Sequence, residues 1–308
     1  MISVIICHRN KEYLNKISDN IKNTIGTDYE LIIIDNTTNQ YSIFEAYNIG
    51  VSKSNNEIIC FSHEDIIFHT NDWGINVLNH FKNSEIGIIG ICGGNSMPIC
   101  PAPWWNSEIL NDHLANNINT WEDKPSWHNF KNPYNQNATE ALLIDGAWFC
   151  TRKSYFTEIR FDNINFKGFH CYDSDICLQV KQIHKKIVVV YDILLEHFSA
   201  GVINNDWCIS AEILADKWSN ITPIFVKNVD SRKIGIYNYE CLLTYCYWLQ
   251  SLKLPDEEIR KKIKKYLFRI LPINYLYHSF ILLYLWYLIG YKTTRYLYYP
   301  VNFIKKIK

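Results

Sequence analysis

Glu57-Ile58-Ile59-Cys60-Phe61-Ser62-His63-Glu64-Asp65 is a short apolar run that passes directly into three consecutive groups able to bind a metal or accept protons. The run reads as a strand, and in open α/β sheets ligands sit outside the carboxyl ends of strands, so polar residues placed there are site candidates. A solvated turn is the plain alternative for a single triplet, and the remainder of the chain decides between them.

Upstream, the β-branched run Val4 to Cys7 reads as a buried strand and Lys11 to Asn23 as a helix. Gly26-Thr27-Asp28 turns the chain into Tyr29 to Ile34, a strand ending at Asp35-Asn36, and Ser42 to Ser52 reads as a second helix. Strands alternating with helices at this spacing predict an α/β fold, a Rossmann-like, mostly parallel sheet with right-handed crossovers and helices on both faces. Downstream, Asp72 to Asn83 is helical in spacing and Ile86 to Cys92 is an apolar strand. From Asn95 to Thr139 there is little sustained periodicity, yet Trp104, Trp105, Trp121 and Trp127 fall there among prolines, which predicts a long functional loop. Strand character returns over Ala141 to Arg152, Asp173 to Ile183 is helical, and Lys186 to Tyr191 is a strand leading to His197. The alternating region is expected to span 1–205, with 206–308 forming a mainly helical, aromatic-rich C-terminal appendage.

Composition narrows the function classes. Across 308 residues, lysine plus arginine and aspartate plus glutamate both number 31, so no global charge attracts nucleic acid. The 10 cysteines show no paired spacing, and Cys60 and Cys150 sit in apolar runs, so reduced core thiols in a cytoplasmic protein are expected. Met1-Ile2-Ser3-Val4-Ile5-Ile6 reads as a strand rather than a signal peptide.

Polar groups recur where strands end: Cys7-His8-Arg9-Asn10, Asp35-Asn36, His63-Glu64-Asp65, and later Asp173 and Asp175. A carboxylate at Asp35 can accept hydrogen bonds from a base or ribose, and Asp65 can hold a divalent metal against a diphosphate. Neither GxxxxGK[ST] nor a GxGxxG after the first strand is present, so P-loop and dinucleotide mechanics do not apply. Asp173 and Asp175 also suit the plain role of capping the helix that follows.

Ser3-Val4-Ile5-Ile6, Leu31-Ile32-Ile33-Ile34-Asp35-Asn36, Ala46-Tyr47-Asn48-Ile49-Gly50 and Phe61-Ser62-His63-Glu64-Asp65 follow the order of motifs in family 2 glycosyltransferases, and Gly168 to Leu178 resembles that family's acidic acceptor-site motif. The resemblance covers about residues 2 to 200 and implies a GT-A fold. It implies donor contacts at His8, Asp35, Asn48 and Glu64, metal ligation by Asp65 and His197, and Asp173 as catalytic base. On the acceptor side it points to Asp145 and Gly146, with Asp175 nearby and Trp104 and Trp105 as flat faces for sugar rings. The pattern departs from the family at His63, where the motif's first aspartate is expected, and at Tyr172, where an acidic residue commonly precedes the base.

The implied activity is an inverting transfer of a sugar from a nucleotide-diphosphate donor, UDP-sugar favoured, to a glycan or lipid-linked glycan in bacterial surface polysaccharide assembly, with Mg²⁺ or Mn²⁺. A non-catalytic nucleotide-sugar or glycan-binding module is the rival reading, made credible by His63. At the C-terminus, Lys261, Lys262, Lys264 and Lys265 precede an apolar, aromatic stretch from Ile273 to Tyr291, and Lys305, Lys306 and Lys308 follow it. Two readings stay open: a peripheral attachment to the inner face of the cytoplasmic membrane, or a helix pair packed on the catalytic domain.

Overall fold

The computed structural model describes residues 1–105, 110, 113–121, 124–199 and 201–270. The chain opens with β1 (Ile2–His8), α1 (Lys11–Thr24), β2 (Tyr29–Asp35), α2 (Ile43–Lys53) and β3 (Ile58–Ser62). It continues through β4 (Ile66–Phe68), α3 (Trp73–His80), β5 (Ile86–Gly90), β6 (Cys92–Gly94), β7 (Ser96–Met97), β8 (His113–Trp121) and β9 (Lys124–Lys131). Next come β10 (Ala138–Ala141), β11 (Leu143–Ile144), β12 (Trp148–Arg152), α4 (Tyr172–Gln182), β13 (Lys186–Val190) and β14 (Leu195–His197). The last elements are α5 (Asn205–Lys217), β15 (Ile224–Phe225), α6 (Ser231–Ser251) and α7 (Asp256–Ile270).

Two compact units result, one of Met1–Ser96 with His113–Val202, the other of Met97–Asp112 with the chain from Ile203 onward. The first is α/β, as expected. Its seven-stranded sheet runs β10-β13-β5-β12-β3-β1-β2. Pairing is parallel across β2, β1 and β3 and between β5 and β13, but β12 enters antiparallel between β3 and β5, and β10 lies antiparallel on β13. β12 can reverse because the expected strand from Ala141 to Arg152 is broken at Asp145-Gly146-Ala147, where the Asp145 side chain accepts the Ala147 N–H (2.9 Å).

Local chemistry explains the helices over this sheet. Asn10 caps α1 by accepting from Glu12 and Tyr13 N–H, and Leu14, Ile17 and Ile21 form its buried stripe. Ser42 and Glu45 form a reciprocal capping box on α2. Gly50 lets that helix lie close on β1, since a Cβ there would stand 2.4 Å from Ile5 Cγ2.

Two expectations need correction. The segment from Asn95 to Thr139 is not one long loop: β8 and β9 form an antiparallel hairpin within it, and a second sheet of order β11-β6-β8-β14-β4 is built on β8. Its periodicity is hidden because buried positions carry asparagine, as at Asn116, whose amide donates to the Tyr191 and Ile193 carbonyls. Nor are Cys60 and Cys150 free thiols. They face each other across the β3–β12 ladder, Cα atoms 4.1 Å apart, and are joined as a disulfide.

The second unit is largely helical. Tyr245 of α6 meets Tyr266 of α7 edge-on at 5.9 Å, and Lys262 of α7 pairs with Glu212 of α5 at 2.6 Å. Lys265 pairs with Asp216, so part of the basic cluster expected to face anionic lipid is neutralised within the protein. Among the described residues no helix is long and apolar enough to cross a membrane. The stretch Ile273 to Tyr291 and the terminal lysines lie outside the described residues.

Candidate active site

The strand end at Ser62 delivers the first donors. His63 N–H donates to the Ala147 carbonyl (2.9 Å), holding His63 against the turn that precedes β12. The chain then reverses into β4, whose antiparallel pairing with β14 sets His197 opposite Ile66, while Phe198 N–H donates to the Asp65 carbonyl (2.9 Å). Sheet register thus carries a distant histidine to the strand end. His197 Nε2 lies 3.4 Å from Asp65 Oδ1, and His63 Nδ1 lies 3.8 Å from the same oxygen. One donor atom from each of His63, Asp65 and His197 falls within 4.8 Å of the others.

The charges at this corner suit a cation. Burial opposes ionisation of Asp65, but its hydrogen bond to His197 and the nearby imidazoles outweigh that and hold the carboxyl well below the usual carboxylate range. Burial, reinforced by His197, pushes the His63 imidazole down to about 4, leaving it neutral at pH 7. Burial also works against charge on His197, yet the Asp65 hydrogen bond raises its pKa above the ordinary value. A divalent ion would replace the His197 proton against Asp65, and the set of imidazole nitrogen and carboxylate oxygen donors fits such an ion.

A pocket of about 290 Å³ opens over this corner, lined by Cys7, Arg9, Asn10, Asn36, His63, Glu64, Asp65 and Phe169 among others. Glu64 turns back to the start of α1, its carboxylate accepting from Arg9 and Asn10 N–H at 2.9–3.2 Å. The Arg9 guanidinium stands 5.9 Å from the centre of the Phe169 ring.

Asp173 forms a second corner at the start of α4. Burial, followed by the like charge of Asp145, pushes its carboxyl up to about 7, against the opposing pull of hydrogen bonds from Ser174 and from the Gly146 backbone. The Gly146 carbonyl in turn accepts from the Tyr172 hydroxyl at 2.9 Å, and that hydroxyl lies 2.6 Å from His63 Nε2. The two backbone groups of Gly146, its N–H toward Asp173 and its carbonyl toward Tyr172, therefore touch both corners. Gly146 has to be glycine, because a Cβ would fall 2.2 Å from Tyr172 Oη.

The remaining expected residues divide. His8 is buried and does not line the pocket, because strand alternation points Cys7 and Arg9 there instead. It faces Asp35 at 3.8 Å, and its Nδ1 has no hydrogen-bond partner among the described residues. Asp35 is exposed and accepts from the Thr37 N–H and hydroxyl, which hold its carboxyl below the ordinary value, and Asn36 takes the pocket-facing position. The Asn48 amide is committed to both backbone groups of Phe161, at 2.8 and 3.2 Å. Asp175 is buried and accepts from Gln179 at 2.7 Å. Trp104 and Trp105 meet edge to face within the second unit. The sequence marks Asp65 and His197 as ligands and offers His63 both as one of three possible metal-binding groups and as the departure from the family motif; the structure sets its imidazole beside the other two. Arg9 and Asn36 lie in the polar strand ends that the sequence marks as candidates, whereas Phe169 is a pocket residue to which the sequence gives no role of its own.

A family model described as a glycosyltransferase-like family matches residues 3–228. The chain belongs to that family. Among solved structures, this glycosyltransferase-like chain is similar to GalNAc-T7, crystallised with UDP, GalNAc and Mn²⁺, at 12% identity and TM-score 0.46, covering 86% of this chain and 55% of that one. It is also similar to Staphylococcus aureus TarS 1–349 in complex with UDP-GlcNAc, at 10% identity and TM-score 0.43, covering 89% of this chain and 73% of that one. This chain thus spans little more than half the length of the first of these. No curated protein matches it.

Proposed function

We propose that the chain is an inverting, metal-dependent GT-A glycosyltransferase that uses a nucleotide-diphosphate sugar, UDP-sugar favoured. One observation carries the reading: three side chains able to hold a metal and a carboxyl with a pKa of about 7 are joined through the N–H and carbonyl of one residue, Gly146. A group that must take a proton at neutral pH works best with a pKa near the operating pH. Residues 1–205 would form the catalytic domain and 206–308 an appendage.

In this reading Asp173 removes the proton from an acceptor hydroxyl as that oxygen bonds the anomeric carbon. The bond from that carbon to the diphosphate breaks on the opposite face, inverting configuration. His63, Asp65 and His197 would hold the divalent ion, which when bound neutralises charge on the departing diphosphate. Imidazole donors favour Mn²⁺ over Mg²⁺, whose preference is for oxygen. Arg9, on the pocket wall, would meet the same diphosphate, and Asn36, with Asp35 beside it, the ribose or base. The acceptor is a glycan or lipid-linked glycan, approached past Asp145 and Gly146, and surface polysaccharide assembly at the membrane's inner face is the setting that suits it.

The test is a panel of nucleotide sugars with Mn²⁺ and glycan acceptors, products read by mass spectrometry. Transfer by the wild type and its absence in Asp173→Asn, with nucleotide binding retained, would support the assignment. Nucleotide-sugar binding without transfer or donor hydrolysis would favour a binding module.

A further inference from the structure

The two positions at which the motifs depart from the family pattern, His63 and Tyr172, touch each other. Their contact fixes a proton. Tyr172 Oη lies 2.9 Å from the Gly146 carbonyl and 2.6 Å from His63 Nε2. A carbonyl oxygen only accepts, so the one hydroxyl hydrogen is directed to Gly146, and the hydroxyl oxygen must receive its second hydrogen bond from His63. His63 is then protonated at Nε2, and its lone pair stands at Nδ1, the nitrogen that faces Asp65 Oδ1 at 3.8 Å.

We propose that Tyr172 is a positioning residue that locks His63 in the Nε2–H tautomer and so presents Nδ1 as a metal donor beside Asp65 and His197. The proposal rests on the metal-dependent reading above. Packing makes the lock rigid: Tyr172 is 3% exposed, and its ring meets Tyr47 at 5.5 Å, Phe44 at 6.2 Å and Phe169 at 6.0 Å. With an aspartate at position 63 neither tautomer nor ring orientation would matter, whereas an imidazole needs both fixed, and an ionised carboxylate at 172 could not donate to Gly146. The same tyrosine begins α4 one residue before Asp173, so the helix that carries the proposed base also sets the donor geometry of the metal corner.

Nitrogen-15 imidazole shifts of His63 in the metal-free wild type read the tautomer directly, and an Nε2–H ring is expected. An Nδ1–H ring would overturn the proposal. Tyr172→Phe keeps the packed ring and removes only the hydroxyl. It should lose the single tautomer and weaken Mn²⁺ binding, titrated by calorimetry, by about 10–100-fold, the range for outer-shell partners. Wild-type Mn²⁺ affinity in Tyr172→Phe would also overturn it. If the wild type holds the Nε2–H tautomer but binds no Mn²⁺, the metal-dependent reading fails, and with it the ligand role proposed for Nδ1. Should Tyr172→Phe not fold, the wild-type shifts still decide.

Discussion

Asp65 and Asp173 are both carboxylates withdrawn from bulk water, yet their surroundings drive them in opposite directions. Asp65 is flanked by His63 and His197 and is held ionised well below the usual range. Asp173 has Asp145 as its charged neighbour and is pushed up to about 7. Burial raises both, but at Asp65 the hydrogen bond from His197 and the neighbouring imidazoles outweigh it, whereas at Asp173 the like charge of Asp145 adds to it. The first corner keeps a fixed negative charge that suits a cation, and the second keeps a carboxyl able to gain and lose a proton near neutrality. Such a division of labour between two carboxylates is what acid–base assignment from environment looks for.

The strongest way to break the comparison is Asp173→Asn. Transfer should fall by about 10²–10⁴-fold, the usual contribution of a positioned base, while calorimetric nucleotide affinity stays near wild type. The same variant tests the raised pKa through stability. Because the folded pKa lies above the ordinary 3.8, the folded state binds the proton more tightly, and this contribution is complete below 3.8 and is lost as pH rises through about 7. Thermal melts of the wild type should therefore lose stability across that window, and Asp173→Asn should lose less.

Asp65→Asn acts on the opposite corner. Removing the one carboxylate of the triad should weaken Mn²⁺ by at least the roughly 10–100-fold seen for lesser, outer-shell changes. Asp173's pH dependence should survive. Mn²⁺ binding indifferent to the substitution would separate Asp65 from any metal role.

Gly146→Ala attacks the link between the corners. A Cβ 2.2 Å from Tyr172 Oη must displace the tyrosine or the turn, an overpacking cost of about 1–3 kcal/mol by thermal or denaturant unfolding. Mn²⁺ affinity and turnover should fall together. A loss confined to turnover would show that the two corners are independent.

Much of the first unit was legible because its signals are local. Apolar strands and capped helices announce themselves within a few residues, as at Ser42 with Glu45, and Asp65 and Asp173 stood at recognisable strand and helix ends. What escaped depends on pairing across distance. His63 reads as a mismatch until the β4–β14 register sets His197 beside it, and Cys60 reads as a core thiol until β12 lies antiparallel to β3. The hairpin of β8 and β9 was hidden because buried asparagines satisfied by backbone carbonyls interrupt the hydrophobic pattern. His8 and Asn48 enter as donor contacts through the family resemblance, whereas strand alternation turns His8 from the pocket and Phe161 engages Asn48.

The smallest expected effect is the most diagnostic of the electrostatic contrast. At saturating Mn²⁺ the imidazoles are committed to the ion, so the ascending limb of the turnover–pH profile reports the proposed base, and it should rise through about 7 as Asp173 loses its proton. Asp145→Asn keeps the side-chain oxygen that accepts the Ala147 N–H, preserving the turn, but removes the charge that disfavours ionisation of Asp173. The limb should then move to lower pH with little change in the plateau. Burial, the larger cause, remains in place, so the limb should still lie above the pH range of an ordinary carboxylate. A limb that stays where it was would mean that burial alone raises Asp173, and a limb that moves upward would mean that Asp173 is not the group being read.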